Sequence, residues 1–399
     1  MLTRAATFVL LGAGLVLLFF SLDFVVRHPQ GTLDFANLYT GATILRQGHI
    51  RQLYDLGYQE RIERQFIGDG HFLLFEHPPF EAWLYLPFAY LSYRRAFVAW
   101  AAFNLCLLGL IFYLIRFTGY RLGDASRYVW LAVCFPLVAG NLALGQDALL
   151  LALVFLLAYL ALKQRREFAS GLLLGLGLFR FEITLPFVAI FFLRRRWRLL
   201  LGFSIMCLLA LGCSVTMIGW SGIEQYARII LAASRTGGSA ESADVGAMPS
   251  LRGALVTLAG GAMPAPYLFS VVLAGSLLLL GLAAAQFTSV ARPEARAFDL
   301  EFSLSVVATL LASYHLFSQV TTPLILAAFL VLGYEDQAPP GVPWADRKGS
   351  LLFLLFTLVL IAGGIAHFRE YSVLAVVLLG LYVWLGREIS RLHKGRAPA

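Results

Sequence analysis

Long apolar runs recur along this chain from the N-terminus to about residue 388. A helix of about 20 apolar residues is long enough to cross a lipid bilayer. Apolar residues make up 59% of the chain and charged residues only 14%, whereas a soluble domain carries about 25% charged residues. No polar segment is long enough to build a separate soluble core of about 100 residues. The sequence therefore predicts an all-α, multi-pass membrane protein with a single integral domain over residues 1–399.

The apolar runs predict about twelve transmembrane helices if the stretch at 168–193 crosses the membrane once. Alternatively, 168–193 is a hairpin of two half-helices folded at "FRFE", and the Pro-rich run at 77–92 does not cross fully. The opening run lacks a convincing cleavage site and is interpreted as an uncleaved first helix. The twelve runs lie near 5–26, 77–92, 96–116, 127–140, 147–162, 168–193, 199–218, 266–290, 298–312, 317–333, 349–366 and 371–388.

The net charge of +8 comes from basic residues clustered between apolar runs, as in "KQRRE" at 163–167, "RRRWR" at 194–198 and "RLHKGR" at 391–396. This pattern is typical of cytoplasmic loops and not of a nucleic-acid partner. Both termini are therefore predicted to be cytoplasmic. The two large loops, 27–76 and 219–263, are predicted to face the outer side. The four cysteines lie in apolar runs, which favours small buried side chains over a disulfide framework.

The first large loop has helices of its own. Apolar residues follow a helical spacing over 35–46 and 55–67, and both segments are predicted to lie in the membrane interface. Asp34 directly precedes the first of them, so spacing alone favours a helix N-cap at this position. The Gly- and Ser-rich first half of the second loop is predicted to be a flexible lid.

Arg180 and Glu182 lie inside an otherwise apolar run. Ionisable groups at membrane depth cost about 2.5–3.5 kcal/mol each, so they are usually paired and functional. The alternatives are a mutual ion pair at a loop tip and two separate roles in a cavity. Further polar residues interrupt apolar stretches or begin them, and each has a structural alternative as a cap, an anchor or a contact between helices: His77, Gln146, Arg252, His315 and Gln319.

Several segments together resemble glycosyltransferase family 87. They are "LDFANLYTGATILRQGHIRQLYD", "HPPFEAWLYLPFAYL", "GNLALGQDALL", "GLLLGLGLFRFEITLPFVAIFFLRRRWR" and "MPSLRGAL", and the resemblance runs from residue 34 to about residue 333. At "FRFE" the family more often has a lysine followed by a proline. The resemblance implies a GT-C membrane fold and a polyprenyl-phosphate sugar donor, with mannose as the sugar that its known members transfer.

The resemblance also implies roles for particular residues. Transfer to a hydroxyl requires a base near the acceptor oxygen and cations near the leaving phosphate, and Asp34 is the implied base of an inverting reaction. The implied donor-phosphate contacts are Arg180, Arg252 and His315. The predicted substrate contacts are Tyr39 and Tyr54, which can stack on sugar rings in a groove formed by the helices at 35–46 and 55–67, together with His77, Gln146, Glu182 and Gln319.

The expected partners are a polyprenyl-phosphate sugar donor, a lipid or glycan acceptor, and membrane lipids. No P-loop, dinucleotide-binding motif or zinc-ligand spacing occurs in the sequence, so neither a cofactor nor a metal site is predicted. The expected location is the cell inner membrane, with the active site on the extracytoplasmic side. The alternative is a lipid-glycan flippase or transporter, which would also use intramembrane charges but has no need of Asp34 as a base.

Overall fold

The computed structural model describes residues 2–27, 33–68, 72–236, 242–259, 263–289, 292, 296–337, 347–365 and 372–394. These residues form helices, turns and loops, and no strand occurs among them. The sixteen α-helices found in these ranges are α1 (Leu2–Arg27), α2 (Leu33–Arg46), α3 (Leu56–Ile67), α4 (Ala82–Ala89), α5 (Tyr93–Leu114), α6 (Asp124–Leu144), α7 (Ala148–Lys163), α8 (Glu167–Leu176), α9 (Phe181–Leu193), α10 (Trp197–Thr236), α11 (Leu251–Ala259), α12 (Ala265–Gln286), α13 (Arg296–Ala312), α14 (Leu324–Asp336), α15 (Lys348–Ile365) and α16 (Val373–Lys394).

Eight helical stretches in the described part of the chain are long and apolar enough to cross a membrane. The multi-pass, all-helical prediction is therefore confirmed, but the count of twelve spans is not. The run at 77–92 forms a short 3-10 helix at Pro79–Glu81 followed by α4. Because α4 has eight residues and a helix rises about 1.5 Å per residue, it is too short to cross. The stretches are Ala5–Arg27, Tyr93–Thr118, Asp124–Leu144, Glu167–Leu193, Trp197–Ala232, Pro266–Gln286, Ser318–Asp336 and Val373–Lys394.

The stretch Glu167–Leu193 qualifies by length and composition, but its contacts show that it bends back. Gly171 packs against Leu199 and Gly175 against Met206, so α8 and α10 run in the same direction. An ion pair between Glu167 and Arg196 joins the starts of these two helices. Because α9 connects the end of α8 to the start of α10, it must return towards the side where α8 began. The 3-10 helix Gly177–Arg180 forms the tip of this hairpin, as the second sequence interpretation required.

The basic clusters lie together at one end of the helix bundle. Lys163, at the end of α7, lies 2.8 Å from Asp299 in the first turn of α13. Nε2 of His393, near the end of α16, lies 3.0 Å from Oε1 of Glu301, which is also on α13. The ion pair between Glu167 and Arg196 joins the cluster at 163–167 to the cluster at 194–198. We call this end the basic end. The hairpin tip at 177–180 lies at the opposite end, since α8 runs away from Glu167.

The helices predicted at 35–46 and 55–67 are confirmed as α2 and α3, but their interfacial placement is not. Residues 35–44 of α2 are buried on every side, whereas an interfacial helix would keep one face in contact with water. In the second large loop, 219–236 continues α10 beyond a kink at Gly219, whose φ is 72°. The predicted lid falls partly on residues 237–241, which lie outside the described residues.

The prediction for the cysteines is confirmed at one position and wrong at two. Cys134 is buried, whereas Cys106 and Cys213 are exposed on the surface of the bundle. A thiol is apolar enough to face either packed side chains or lipid, so an apolar run does not determine which side of the helix it occupies. All four cysteines are free thiols.

Candidate active site

The candidate site lies at the end of the bundle opposite the basic clusters. It is built around a tight turn at 145–147, between α6 and α7. Gly145 ends α6 with a left-handed φ of 69°, a conformation that glycine adopts without strain. A Cβ at this position would lie 2.7 Å from Cβ of Phe35, so only glycine permits this approach. Trp100 Nε1 donates a hydrogen bond of 2.8 Å to the Gly145 carbonyl. The turn thus brings Gln146 next to the start of α2.

Asp34 lies in the first turn of α2. Its Oδ2 atom accepts a hydrogen bond of 2.6 Å from Nε2 of Gln146, whereas its Oδ1 atom has no hydrogen-bond donor among the described residues. The carboxylate therefore bonds to a distant side chain and not to a backbone amide of its own helix, as a capping residue would. Burial raises the pKa of Asp34 above its usual value, and the Gln146 bond and the Arg180 charge partly oppose this increase. A raised pKa makes the carboxylate a stronger base.

Arg180 lies at the tip of the α8–α9 hairpin and is buried. Its Nε atom donates a hydrogen bond of 2.8 Å to Oδ1 of Asp147, and its Nη2 atom donates to Oε1 of Gln146. Glu182 is farther away, with 3.9 Å between its Oε1 atom and Nη1 of Arg180. The main partner of Arg180 is therefore Asp147, and the mutual Arg180–Glu182 ion pair is only a weak second contact.

These contacts form one continuous series of hydrogen bonds from Asp34 through Gln146 and Arg180 to Asp147. We call these four side chains the Asp34 chain. The Arg180 guanidinium donates hydrogen bonds to the Asp147 carboxylate and to the side-chain carbonyl oxygen of Gln146. The side-chain NH2 group of Gln146 therefore faces Asp34 and donates to it. Since a glutamine amide has its donor and acceptor on opposite branches, Arg180 determines which branch faces Asp34. The chain thereby orients the Asp34 carboxylate and leaves Oδ1 available.

His77 and Glu81 lie beside this chain. The His77 Nδ1 atom lies 3.0 Å from Oε1 of Glu81, and Tyr54 donates a hydrogen bond of 2.6 Å to the His77 carbonyl. Burial and the positive charge of Arg180 lower the pKa of His77 to about 4, so its imidazole is neutral at pH 7. Burial and the negative charge of Asp147 raise the pKa of Glu81 well above its usual value.

Glu81 is the site residue that sequence reasoning missed. His77 Nδ1 forms its hydrogen bond with Oε2 of Glu81, at 3.1 Å. Oε1 of Glu81 lies close to the same nitrogen but outside hydrogen-bond geometry, so this atom and Oδ2 of Asp147 are both buried without a hydrogen-bond donor among the described residues. A proton retained on Glu81 would give this pair of carboxyl groups the donor that it lacks. The signal was present in the sequence, because Glu81 is an ionisable residue within an apolar run. The same argument singled out Glu182.

Tyr39 and Tyr54 are buried in this structure, with exposed fractions of 3% and 1%. Tyr39 packs against Phe35 and Tyr93 and donates a hydrogen bond of 2.7 Å to the Leu91 carbonyl. In this conformation neither ring has a free face for a sugar. Both tyrosines instead fasten α2 and the following loop to the segment at 77–91.

Arg252 and His315 form a second group. The Arg252 guanidinium lies 4.0 Å from the centre of the Tyr314 ring, and its Nη1 atom donates to the Tyr314 carbonyl at 3.2 Å. Burial and the Arg252 charge lower the pKa of His315 to about 4. Gln319 packs on Gly140 of α6, five residues before Gly145. Within the described residues, no contact joins Arg252 or His315 to the Asp34 chain, and no group of metal-binding side chains occurs.

The family model of glycosyltransferase family 87 matches residues 75–314, which is more than half of the 399 residues. The chain belongs to glycosyltransferase family 87. The suspected family is thereby confirmed, and the protein is a membrane glycosyltransferase-like member of it. No curated protein matches the chain, and no solved structure does.

The family match includes most of the site but not Asp34. The residues inside it are His77, Glu81, Gln146, Asp147, Arg180, Glu182 and Arg252. In this family 87 protein, Asp34 reaches the matched part of the chain through its bond to Gln146, across 112 positions of sequence.

Proposed function

We propose that this family 87 protein is an inverting hexosyltransferase with a polyprenyl-phosphate sugar donor and a lipid- or glycan-borne hydroxyl as acceptor. The observation that carries the proposal is the series of hydrogen bonds that links Asp34 to Asp147 through Gln146 and Arg180. It orients a half-buried Asp34 carboxylate whose Oδ1 atom has no hydrogen-bond donor among the described residues. A flippase needs no carboxylate with a raised pKa, whereas a transferase needs a base for its acceptor.

In the proposed reaction, the acceptor hydroxyl attacks the anomeric carbon on the side opposite the lipid phosphate. Asp34 Oδ1 takes the hydroxyl proton as the new C–O bond forms, and the C–O bond to the phosphate breaks with its electron pair on the phosphate. One displacement inverts the anomeric carbon. The leaving phosphate is a weakly basic anion, so no acid is required for its departure.

Cations near the phosphate stabilise the charge that develops on it. Arg180 is the proposed contact nearest to Asp34, because Gln146 bonds to both side chains. Among the described residues the Nη1 atom of Arg180 has only the long Glu182 contact of 3.9 Å, so it is available for the phosphate. Arg252 and a neutral His315 are proposed to donate hydrogen bonds to the remaining oxygens of the donor phosphate. His77, Glu182 and Gln319 are the proposed sugar and acceptor contacts. Gln146 is a contact of the Asp34 carboxylate itself.

The proposed orientation follows from charge. The basic clusters lie opposite the Asp34 site, and basic loops stay on the cytoplasmic side of a membrane. The proposed active site of the single integral domain is therefore extracytoplasmic, in the cell inner membrane. A lipid-linked donor suits this side, because it carries an activated sugar across the membrane.

The donor class can be tested with purified protein in detergent. Transfer is expected from a polyprenyl-phosphate hexose and not from the matching nucleotide sugar, since the sequence carries no nucleotide-binding motif. Radiolabelled sugar in the acceptor product measures the rate for each donor. The Asp34→Asn variant is the control for background. Turnover with the nucleotide sugar in carrier-free detergent would contradict the donor assignment, and lipid movement without any sugar transfer would favour the flippase.

The pH dependence tests the role of Gln146. A general base must be ionised, so kcat/KM is expected to rise with pH through a pKa above the usual aspartate value. The Gln146 bond lowers the pKa of Asp34, so Gln146→Leu is expected to move this acidic limb to higher pH. Gln164→Leu is the matched control, because Gln164 is exposed at the basic end, opposite the Asp34 site. An acidic limb that stays in place in Gln146→Leu would contradict the proposed role of this bond.

A further inference from the structure

Two grooves flank α16 at the basic end, far from the Asp34 site. One lies between α12 and α16 and has a volume of about 390 Å³. The other lies between α15 and α16 and has a volume of about 600 Å³. Both are lined by Val383, Arg387 and Arg391, so the outer ridge of α16 separates two grooves that share the same cations.

The outer ridge of α16 changes from apolar to cationic along its length. Val376, Leu379 and Val383 are exposed large apolar residues. Arg387 and Arg391 follow on the same ridge, since residues four apart share a helix face. Both arginines are exposed. The order is that of a phospholipid, with acyl chains first and a headgroup phosphate after them.

The length of this ridge also fits a lipid. From Val376 to Arg391 a helix rises about 22 Å at 1.5 Å per residue. Half of a bilayer that includes its headgroup regions measures about 20–22 Å. When Val376, Leu379 and Val383 lie beside the acyl chains of one leaflet, Arg387 and Arg391 therefore lie at the depth of the headgroup phosphates of that leaflet.

The charge of the grooves favours an anion. Lys394 lines the first groove and Lys348 the second. Glu388 lines the second groove, and it accepts hydrogen bonds from Arg391 at 3.1 Å and from Tyr334 at 3.0 Å. The first groove is lined by no acidic side chain among the described residues. Arg387 forms no ion pair within the described residues. A headgroup phosphate would supply the counter-charge that Arg387 lacks, and arginine matches phosphate geometry well.

We propose that these grooves bind an acidic glycerophospholipid, with its phosphate between Arg387 and Arg391 and its acyl chains along Val376, Leu379 and Val383. Basic pockets between membrane helices on the cytoplasmic side are known to suit acidic headgroups. The site is separate from the transferase site, so it does not depend on the proposed function.

The test is native mass spectrometry of the full chain with phosphatidylglycerol or phosphatidylcholine of identical acyl chains. Phosphatidylglycerol is expected to bind about tenfold or more tightly than phosphatidylcholine, because each cation near the headgroup contributes to binding. The double variant Arg387→Gln/Arg391→Gln is expected to lose most of this preference. Arg387→Lys/Arg391→Lys, which keeps both charges, is expected to retain most of it.

The matched control is Arg194→Gln/Arg198→Gln. It removes the same charge from exposed positions at the same end of the bundle, but these residues do not line either groove. It is expected to keep the lipid preference. Equal binding of both lipids, equal losses in the two glutamine double variants, or full displacement of the lipid by free glycerol phosphate would each overturn the proposal.

Discussion

Replacing Asp34 by Asn is expected to lower the rate of sugar transfer by about 10²–10⁴-fold, the usual cost of removing a general base. The substitution changes little else. Asn keeps an oxygen that can accept the 2.6 Å hydrogen bond from Gln146, and it is well tolerated at the start of a helix. Transfer from a polyprenyl-phosphate hexose, measured at matched amounts of purified protein, gives the rate.

Asp55→Asn is the matched control for this experiment. Asp55 caps α3 by accepting a hydrogen bond from the Tyr58 amide, and Asn caps a helix about as well as Asp does. This variant is expected to keep nearly the full rate. An Asp34→Asn protein that retains more than about a tenth of the wild-type rate would exclude Asp34 as the base.

Replacing Arg180 by Gln is expected to lower the rate by about 10²–10³-fold through lost stabilisation of the leaving phosphate. The structure adds a second expected effect. The Asp147 side chain has an exposed fraction of 0%, and removing the partner of a buried charge costs about 3–5 kcal/mol of stability. A thermal unfolding curve is therefore required beside the rate. Arg180→Lys keeps the charge but not the two-branched contact, so an intermediate rate is expected.

A double variant separates catalysis from stability. Arg180→Gln/Asp147→Asn removes the buried charge that the single variant leaves unpaired, so the unfolding temperature is expected to recover. The transfer rate is expected to stay low, because neither Gln nor Asn supplies a cation. Recovery of the rate together with the stability would show that Arg180 serves the fold alone.

Sequence reasoning was most successful where a property depends on neighbouring residues. The segments 35–46 and 55–67 appear as α2 and α3 because helical spacing is a local pattern. The interfacial placement of α2 is not confirmed, because burial depends on what packs around a helix. The elements that pack around α2 include α3, α4 and α6, and α5 contacts it through Tyr93.

The site shows the same division between local and distant information. The cost of charge in a membrane singled out Arg180 and Glu182, and it would equally have singled out Glu81. It did not reveal that the partner of Arg180 is Asp147, 33 positions away. The sequence also did not predict that Tyr39 and Tyr54 are buried, because a tyrosine between two apolar runs can be either exposed or packed against distant residues.

By itself, the sequence determined that this is an all-helical membrane protein with its basic loops on one side, because transfer from water to lipid depends on composition along each segment. Only the tertiary structure decided that 167–193 folds back as a hairpin and that its tip meets the turn at 145–147. It also decided that Gln146 holds Asp34. These features depend on side chains from distant segments fitting one another in three dimensions, and composition does not encode which segments will meet.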